Sequence, residues 1–193
     1  PLIPCKSCKY CKNGKYNLCE NYNYLGSRSD GGFAEYVIAP VENIIEIPSS
    51  ISYDEASLIE PMSVVLHGLK KISSYLVGAN VFILGLGPIG ILSGLLSKKL
   101  GAHEIYGIDK DKFRISFAKK NGFKDCFSDF SILPKNEINV LIECSGSSFL
   151  LNESLNLIDK ESVILFLANH ENNITLSPKT ISKCLRGEYN MFY

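Results

Sequence analysis

The pattern of apolar and polar positions divides the chain into a front part and a back part. From residue 80 onward, short apolar runs alternate with helical segments, beginning with the strand Val81–Leu84 and the helix Pro88–Leu100, which Gly101 closes. The series continues with the strand Glu104–Ile108 and the helix Asp111–Asn121. Three further strands follow at Asn139–Cys144, Val163–Leu167 and Glu188–Phe192. Strands that alternate with helices predict a parallel sheet covered by helices on both faces.

The front part of the chain has a different composition. Residues 1–32 hold four of the seven cysteines and many turn-forming residues, which predicts an irregular lobe. The segments Phe33–Ala39 and Asn43–Ile47 are rich in β-branched and aromatic residues, so they predict two strands divided by Pro40.

Two helices are predicted between residues 53 and 74. Ser52 and Glu55 fit a capping box, so the first helix should begin at Tyr53. Pro61 cannot continue that helix and should open the second one at its first position. Glu60 would then lie at a helix break within an otherwise apolar stretch.

A glycine-rich segment joins the first predicted strand of the back part to its helix. Residues 85–90 read Gly-Leu-Gly-Pro-Ile-Gly, a G-x-G-x-x-G pattern, and Asp109 lies 19 residues after Gly90 at the end of the next strand. This arrangement is typical of a dinucleotide-binding loop. Gly85 would allow the tight turn, Gly87 would let the backbone approach a pyrophosphate, and Gly90 would let the helix pack closely on the strand.

The acid at the end of the second strand bears on which dinucleotide binds. Asp109 would accept hydrogen bonds from an adenosine ribose and repel a 2′-phosphate, which favours NAD over NADP. The neighbouring Lys110 is a small argument for NADP. The structural alternative is that the glycines merely make a tight strand-to-helix turn.

Cysteines in the lobe have the spacing C-x2-C-x2-C-x7-C, formed by Cys5, Cys8, Cys11 and Cys19. Four thiolates within fifteen residues favour a closed tetrahedral zinc site of the structural kind. A disulfide pair and an iron–sulfur cluster are the alternatives. The cluster spacing C-x2-C-x2-C-x3-C-P is not met, because the last interval is seven residues and Glu20 follows Cys19.

Composition narrows the functional classes further. The 193 residues are 46% hydrophobic and carry twenty Lys and Arg against twenty Asp and Glu, so the formal net charge is zero. A neutral balance argues against nucleic-acid binding and against a polybasic membrane surface. The apolar runs are far shorter than a membrane span needs. The chain begins at Pro1 without a Met, and we expect it to be a fragment.

Four features in this order resemble the zinc-dependent medium-chain alcohol and polyol dehydrogenases, and the resemblance covers essentially the whole chain. They are the cysteine lobe, the run of residues 31–37 (Gly-Gly-Phe-Ala-Glu-Tyr-Val), the Glu60-Pro61 dipeptide followed by His67, and the glycine-rich loop. Within that family the chain is most similar to the sorbitol and sugar-alcohol-phosphate branch. The resemblance implies part of a GroES-like β domain at residues 1–52, with its zinc lobe at 1–22. It also implies a Rossmann-type NAD-binding domain at 53–193 that is incomplete at its C-terminus.

The resemblance also implies roles for individual residues. The four lobe cysteines would bind structural zinc, and Glu60 would belong to the catalytic zinc site. Residues of the glycine-rich loop would cradle the pyrophosphate, and two residues beyond it would hold or flank the adenosine ribose: Gly85, Gly87, Pro88, Ile89 and Gly90, then Asp109 and Arg114. The alternatives are that Glu60 caps a helix and that Arg114 is a solvated charge.

For the full-length protein the resemblance implies a cytoplasmic homodimer or homotetramer that transfers a hydride from a secondary alcohol to NAD. The substrate would be a polyol or a sugar-alcohol phosphate, and no nucleic acid or membrane would take part. The remaining catalytic-zinc ligands of the family lie upstream of Pro1, so we expect this chain to bind NAD and zinc without turnover. The alternatives are a general alcohol or threonine-type dehydrogenase, a ferredoxin-like electron carrier, and a non-catalytic nucleotide-binding module with a zinc ribbon.

Overall fold

The computed structural model describes residues 1–130, 138–170 and 173–193, and its chain divides into two units, Pro1–Ala56 and Ser57–Tyr193. The predicted boundary between residues 52 and 53 stays a prediction about domains in the full-length protein. Each unit has its own architecture.

The first unit contains little regular structure. Strands β1 (Leu2–Ile3) and β2 (Asn23–Tyr24) pair antiparallel around the cysteine lobe, which holds the short helix α1 (Lys9–Lys12). Helix α2 (Tyr53–Ala56) begins where the capping box predicts. The Ser52 backbone N–H donates to the Glu55 carboxylate over 2.8 Å, and the Glu55 N–H donates to the Ser52 hydroxyl over 3.3 Å, which confirms that prediction.

The two strands predicted at 33–39 and 43–47 are wrong for this structure. Residues 33–35 form bends, residues 36–39 have no regular structure, and the second segment begins with the last residue of a 3₁₀ turn at Val41–Asn43 and continues without regular structure. Their apolar side chains are uncovered, because Phe33, Tyr36 and Ile38 are at least 90% exposed. A strand needs a partner for its backbone, and the described residues offer this segment no partner strand.

The second helix of the predicted pair begins two residues earlier than expected. Helix α3 (Ile59–Lys71) places Glu60 in its first turn and Pro61 at its third position, so the helix break lies at residues 57 and 58 rather than at Glu60. The first N–H groups of a helix have no intrahelical partner, and a proline there loses nothing. A short helix α4 (Ser73–Leu76) follows.

Six parallel strands form the sheet of the second unit. They are β3 (Asn80–Leu84), β4 (Glu104–Ile108), β5 (Asp125–Phe127), β6 (Val140–Glu143), β7 (Val163–Phe166) and β8 (Asn190–Phe192). Their spatial order is β5-β4-β3-β6-β7-β8, with all neighbours parallel. This is the doubly wound dinucleotide-binding order, and it confirms the predicted fold. The order reverses between β3 and β6, whose carboxyl ends form the switch point.

Helices cover both faces of this sheet. They are α5 (Pro88–Lys99), α6 (Lys112–Lys120), α7 (Ser148–Leu155) and α8 (Pro178–Gly187). Alternate residues of β3 enter different cores: Val81 and Ile83 pack with residues of α3 and α5, and Phe82 packs with residues of α7. This period of two is what a strand buried on both faces requires.

We expect hydrogen exchange to separate the uncovered segment 33–39 from the sheet. Backbone amides at 33–39 should exchange more than roughly a thousandfold faster than those of β3 and β6, because they lack strand partners in this structure. Hydrogen–deuterium exchange with mass spectrometry on the 193-residue chain measures this. Equal protection of both regions would contradict the structural description of the first unit.

Candidate functional site

The glycine-rich loop lies at the switch point, where β3 passes into α5. Gly85 has a φ of +86°, which favours glycine, and a Cβ added there would lie 3.0 Å from Cα of Ser145. A Cβ added at Gly90 would lie 1.9 Å from the carbonyl oxygen of Gly85, so only glycine fits. A Cβ at Gly87 would meet only Arg114 Nη1, at 3.9 Å, so that position faces open space.

The N-terminus of α5 is arranged to receive an anion. Gly87 is the N-cap residue, no side chain caps this end, and Pro88 occupies the first helical position. The N–H groups of Ile89 and Gly90 therefore lie in the first turn, where a helix offers free donors and a positive dipole end. This geometry fits a pyrophosphate, and all five predicted loop residues lie in it.

Asp109 at the end of β4 is buried and holds the glycine-rich loop directly. Its Oδ2 accepts the backbone N–H of Leu86 over 2.8 Å, and its Oδ1 accepts the N–H of Asp111 over 2.9 Å. The sequence predicted a ribose-binding acid but not this bond to Leu86. A carboxylate has about four lone-pair sites, so it can also accept from a ribose hydroxyl.

Arg114 lies beside that carboxylate. Its Nη1 is 3.5 Å from Oδ2 of Asp109, and its Nε is 4.0 Å from Oδ2 of Asp111, which caps α6. Half of its side chain is exposed, so the guanidinium borders solvent at the mouth of the loop. The predicted flanking position is consistent with these contacts, and its role toward a ribose stays a prediction.

A cleft of about 470 Å³ opens between the carboxyl ends of β3, β4 and β6. Its lining includes Gly85, Gly87, Asp109 and Arg114 on one side and Ser145 on the other. In open α/β sheets, ligands bind at this position outside the switch point. The structure therefore brings four of the seven predicted nucleotide-site residues around one cleft, and the other three follow Gly87 in the first turn of α5.

A second buried acid, Glu143, ends strand β6, and the sequence reasoning gave it no role. Its Oε1 accepts the N–H of Ser145 at 2.8 Å, the Ser145 hydroxyl at 2.5 Å and the N–H of Gly146 at 3.0 Å. Its Oε2 lies 3.0 Å from Nε2 of His170. The available signal was one acid at the end of an otherwise apolar strand, but His170 lies 27 residues away and no local pattern connects the two.

In the first unit, the four lobe cysteines converge. Their Sγ atoms all lie within 4.8 Å of one another, and those of Cys5 and Cys11 are 4.0 Å apart. Four sulfurs around a tetrahedral zinc at about 2.3 Å would be about 3.8 Å apart, so the donor set fits that ion. All seven cysteines lie in the described residues and all are free thiols, which does not support the disulfide alternative.

The thiols of the lobe differ in acidity. Hydrogen bonds from the side chain and backbone of Ser7 lower the pKa of Cys5 to about 6, and the backbone of Cys8 contributes further. Burial raises the pKa of Cys11 to about 12, and the neighbouring cysteines add to that shift. Metal binding requires deprotonated thiolates, so a zinc ion that enters this lobe would displace protons.

Glu60, which the resemblance assigns to a catalytic zinc site, belongs to the second unit. It is exposed in the first turn of α3. Within residues 1–130, 138–170 and 173–193, the cysteines Cys5, Cys8, Cys11 and Cys19 are the single group of three or more potential ligands close enough to hold a metal ion. Its predicted part in a catalytic zinc site is therefore untested by this chain. In the described parts of the chain, no helix has both the length and the hydrophobicity of a membrane span.

Comparisons with known proteins agree with this description. The alcohol dehydrogenase GroES-like domain family matches residues 1–49. Galactitol 1-phosphate 5-dehydrogenase of Escherichia coli K12 is 29% identical over 197 residues, which cover 97% of this chain and 57% of that enzyme. The crystal structure of the Escherichia coli galactitol-1-phosphate dehydrogenase matches the whole chain and 58% of its own, with a TM-score of 0.88 and 27% identity.

Two further similar proteins differ from these in the substrate or the cofactor that their names give. L-threonine 3-dehydrogenase of Aliivibrio fischeri is 30% identical over 185 residues, which cover 90% of this chain and 53% of that enzyme. A zinc-binding dehydrogenase from Sinorhizobium meliloti 1021, solved with NADP, matches the whole chain and 59% of its own, with a TM-score of 0.85 and 27% identity. The chain thus spans somewhat more than half the length of these relatives.

Two glycine substitutions should separate packing from ligand approach. Gly90→Ala should destabilise the second unit by about 2 kcal/mol or more, because its Cβ meets backbone. Gly87→Ala should leave stability within about 0.5 kcal/mol but weaken NADH binding roughly tenfold or more, because its Cβ occupies the space a pyrophosphate needs. Thermal unfolding and fluorescence titration with NADH measure the two effects. An unaffected NADH affinity in Gly87→Ala would contradict the assigned loop role.

Metal analysis should find a single zinc ion and no iron in the purified chain. Cys11→Ser should lose the zinc, because three thiolates remain of a set of four. Cys126→Ser is the matched control, since that thiol is buried in the core of the second unit and is not one of the four clustered cysteines, so its loss should not affect metal content. Elemental analysis of the three proteins decides between zinc and the iron–sulfur alternative, because iron in the wild-type chain would favour an electron carrier.

Proposed function

We propose a function for this protein on the basis of the confirmed resemblance of the chain to the zinc-dependent medium-chain alcohol and polyol dehydrogenases. The full-length protein is an oxidoreductase that transfers a hydride from a secondary alcohol to NAD. The observation that carries the proposal is the convergence of Gly87, the α5 N-terminus and Asp109 around one cleft at the switch point. The cysteine cluster in the first unit supports the same family.

The proposed cofactor is NAD, and different residues of this chain would bind different parts of it. The loop Gly85–Gly90 and the first turn of α5 would receive the pyrophosphate, and Asp109 would accept from the ribose hydroxyls. Asp109 would also repel a 2′-phosphate, although Arg114 beside it offers a positive charge to that group. The Asp109 carboxylate is buried and accepts a hydrogen bond from the loop backbone, whereas the Arg114 guanidinium is half-exposed, which supports NAD.

Two zinc sites belong to the proposal for the full-length protein. The lobe cysteines would hold a structural zinc, whose closed ligand set leaves no position for a substrate. Glu60 would contribute to a catalytic zinc site together with ligands from chain outside residues 1–193. Bound NAD would supply the hydride acceptor, and a catalytic zinc would polarise the alcohol oxygen. The dimer or tetramer implied by the resemblance stays part of this proposal.

The proposed substrate class is a polyol or a sugar-alcohol phosphate. The match to galactitol 1-phosphate 5-dehydrogenase over nearly the whole chain supports it. The similar identity to L-threonine 3-dehydrogenase supports a second candidate within the same chemistry, a β-hydroxy amino acid. Both classes offer a secondary alcohol, so the same hydride transfer to NAD would apply to either one.

The full-length protein tests this proposal. With NAD and a panel of polyols, sugar-alcohol phosphates and threonine, we expect NADH formation that a chelator abolishes. Asp109→Asn should weaken NAD use roughly tenfold relative to NADP use, because the repelling charge is gone. Asp111→Asn is the matched control, since asparagine caps a helix as well as aspartate. NADH formation with none of these alcohols would contradict the proposed reaction.

A further inference from the structure

We propose that Glu143 and His170 are positioning residues for the dinucleotide cleft, an inference that rests on the dinucleotide binding proposed above. Glu143 acts on the loop between β6 and α7, and His170 acts through Glu143. Neither residue lies in the loop 85–90, and neither is the ribose-binding acid Asp109. The pair is therefore an additional part of the cleft.

The carboxylate of Glu143 is fully buried and fully engaged. Burying an ionised carboxylate is costly unless hydrogen bonds replace its water, and the three donors on Oε1 come from two successive residues, Ser145 and Gly146. Three donors on one oxygen fix the direction in which the chain leaves β6. The shape of the β6–α7 loop is therefore set by the position of one carboxylate.

His170 fixes the other half of that carboxylate. Its Nε2 lies 3.0 Å from Oε2 of Glu143, its side chain is 11% exposed, and its ring meets Phe166 edge to face. The chain reaches this position as β7 ends, where the N–H of Leu167 donates to the carbonyl of Glu143 over 2.9 Å. Without His170, Oε2 would be a buried acceptor without a donor, which costs free energy. Rotation of the carboxylate away from the loop would therefore be favoured.

The loop that Glu143 holds is one wall of the cleft. Ser145 lines the cleft and stands so close to Gly85 that a Cβ there would be 3.0 Å from it. The Ser145 hydroxyl accepts the N–H of Ser147, which in turn caps α7 by accepting the N–H of Leu150. A turned carboxylate would thus shift the wall that faces the glycine-rich loop, at the edge where the dinucleotide would lie.

Three substitutions on the 193-residue chain test the pair, with NADH as the probe. His170→Phe keeps the ring volume and removes the donor, and we expect it to weaken NADH binding roughly tenfold, the effect of losing one hydrogen bond to a charged group. His170→Gln returns an N–H donor and should restore affinity to within about threefold. His103→Phe is the control, because it makes the same change at an exposed histidine that precedes β4, at the amino ends of the strands. This variant should bind NADH like wild type.

Amide exchange at Ser145 and Gly146 separates positioning from general stability. In His170→Phe these two amides should exchange faster, while those of β3 and β4 keep their wild-type protection. If His170→Phe does not fold, His170→Asn replaces it, since that side chain is too short to reach Glu143, and the same losses are expected. Wild-type NADH affinity in a folded variant without the donor would overturn the pair and leave the proposed function standing.

A wild-type chain that binds no NADH would have a different meaning. It would overturn the proposed dinucleotide function, and with it the claim that the pair serves a ligand. The amide-exchange comparison would then still report whether His170 holds the β6–α7 loop. The two failures are thus distinguishable in one set of proteins.

Discussion

The hydrogen bond from the Leu86 backbone to the Asp109 carboxylate is the contact on which the nucleotide cleft depends. Each partner needs the other, because an N–H turned inward at a tight turn and a buried acid are both costly when unpaired. The bond ties the loop after β3 to the end of β4, and it places the acid beside the site for a ribose. The same carboxylate lies beside Arg114 and accepts the N–H of Asp111, the N-cap residue of α6.

The carboxyl edge of the sheet repeats this device on the other side of the switch point. Asp109 ends β4 and Glu143 ends β6, and each accepts backbone N–H groups from a loop that lines the cleft. The two acids differ in their remaining capacity to accept hydrogen bonds. Asp109 borders the cleft and retains acceptor capacity, whereas His170 occupies the remaining oxygen of Glu143. One acid is thus suited to contact a ligand and the other to hold a wall.

The sequence predicted the parts of the structure that depend on neighbouring residues. The β3–α5–β4 succession and the capping box at Ser52 follow from short-range periodicity and from side chains three residues apart. Two of the failures concern contacts between distant residues. Segment 33–39 has the composition of a strand, but a strand forms only against a partner. The Glu143–His170 contact requires β6 and β7 to be neighbours, which only the sheet order reveals.

The contrast in acidity between Cys5 and the thiols of the second unit has a practical consequence for labelling chemistry. Burial raises the pKa of Cys126 and of Cys144 to about 12, so these two thiols are nearly unreactive toward alkylating reagents at neutral pH, and burial raises the pKa of Cys184 as well. Cys5, with a pKa near 6, is largely thiolate under the same conditions. Rapid uptake of an alkylating reagent by the folded chain therefore reports an open lobe, and its suppression reports a lobe closed around a metal.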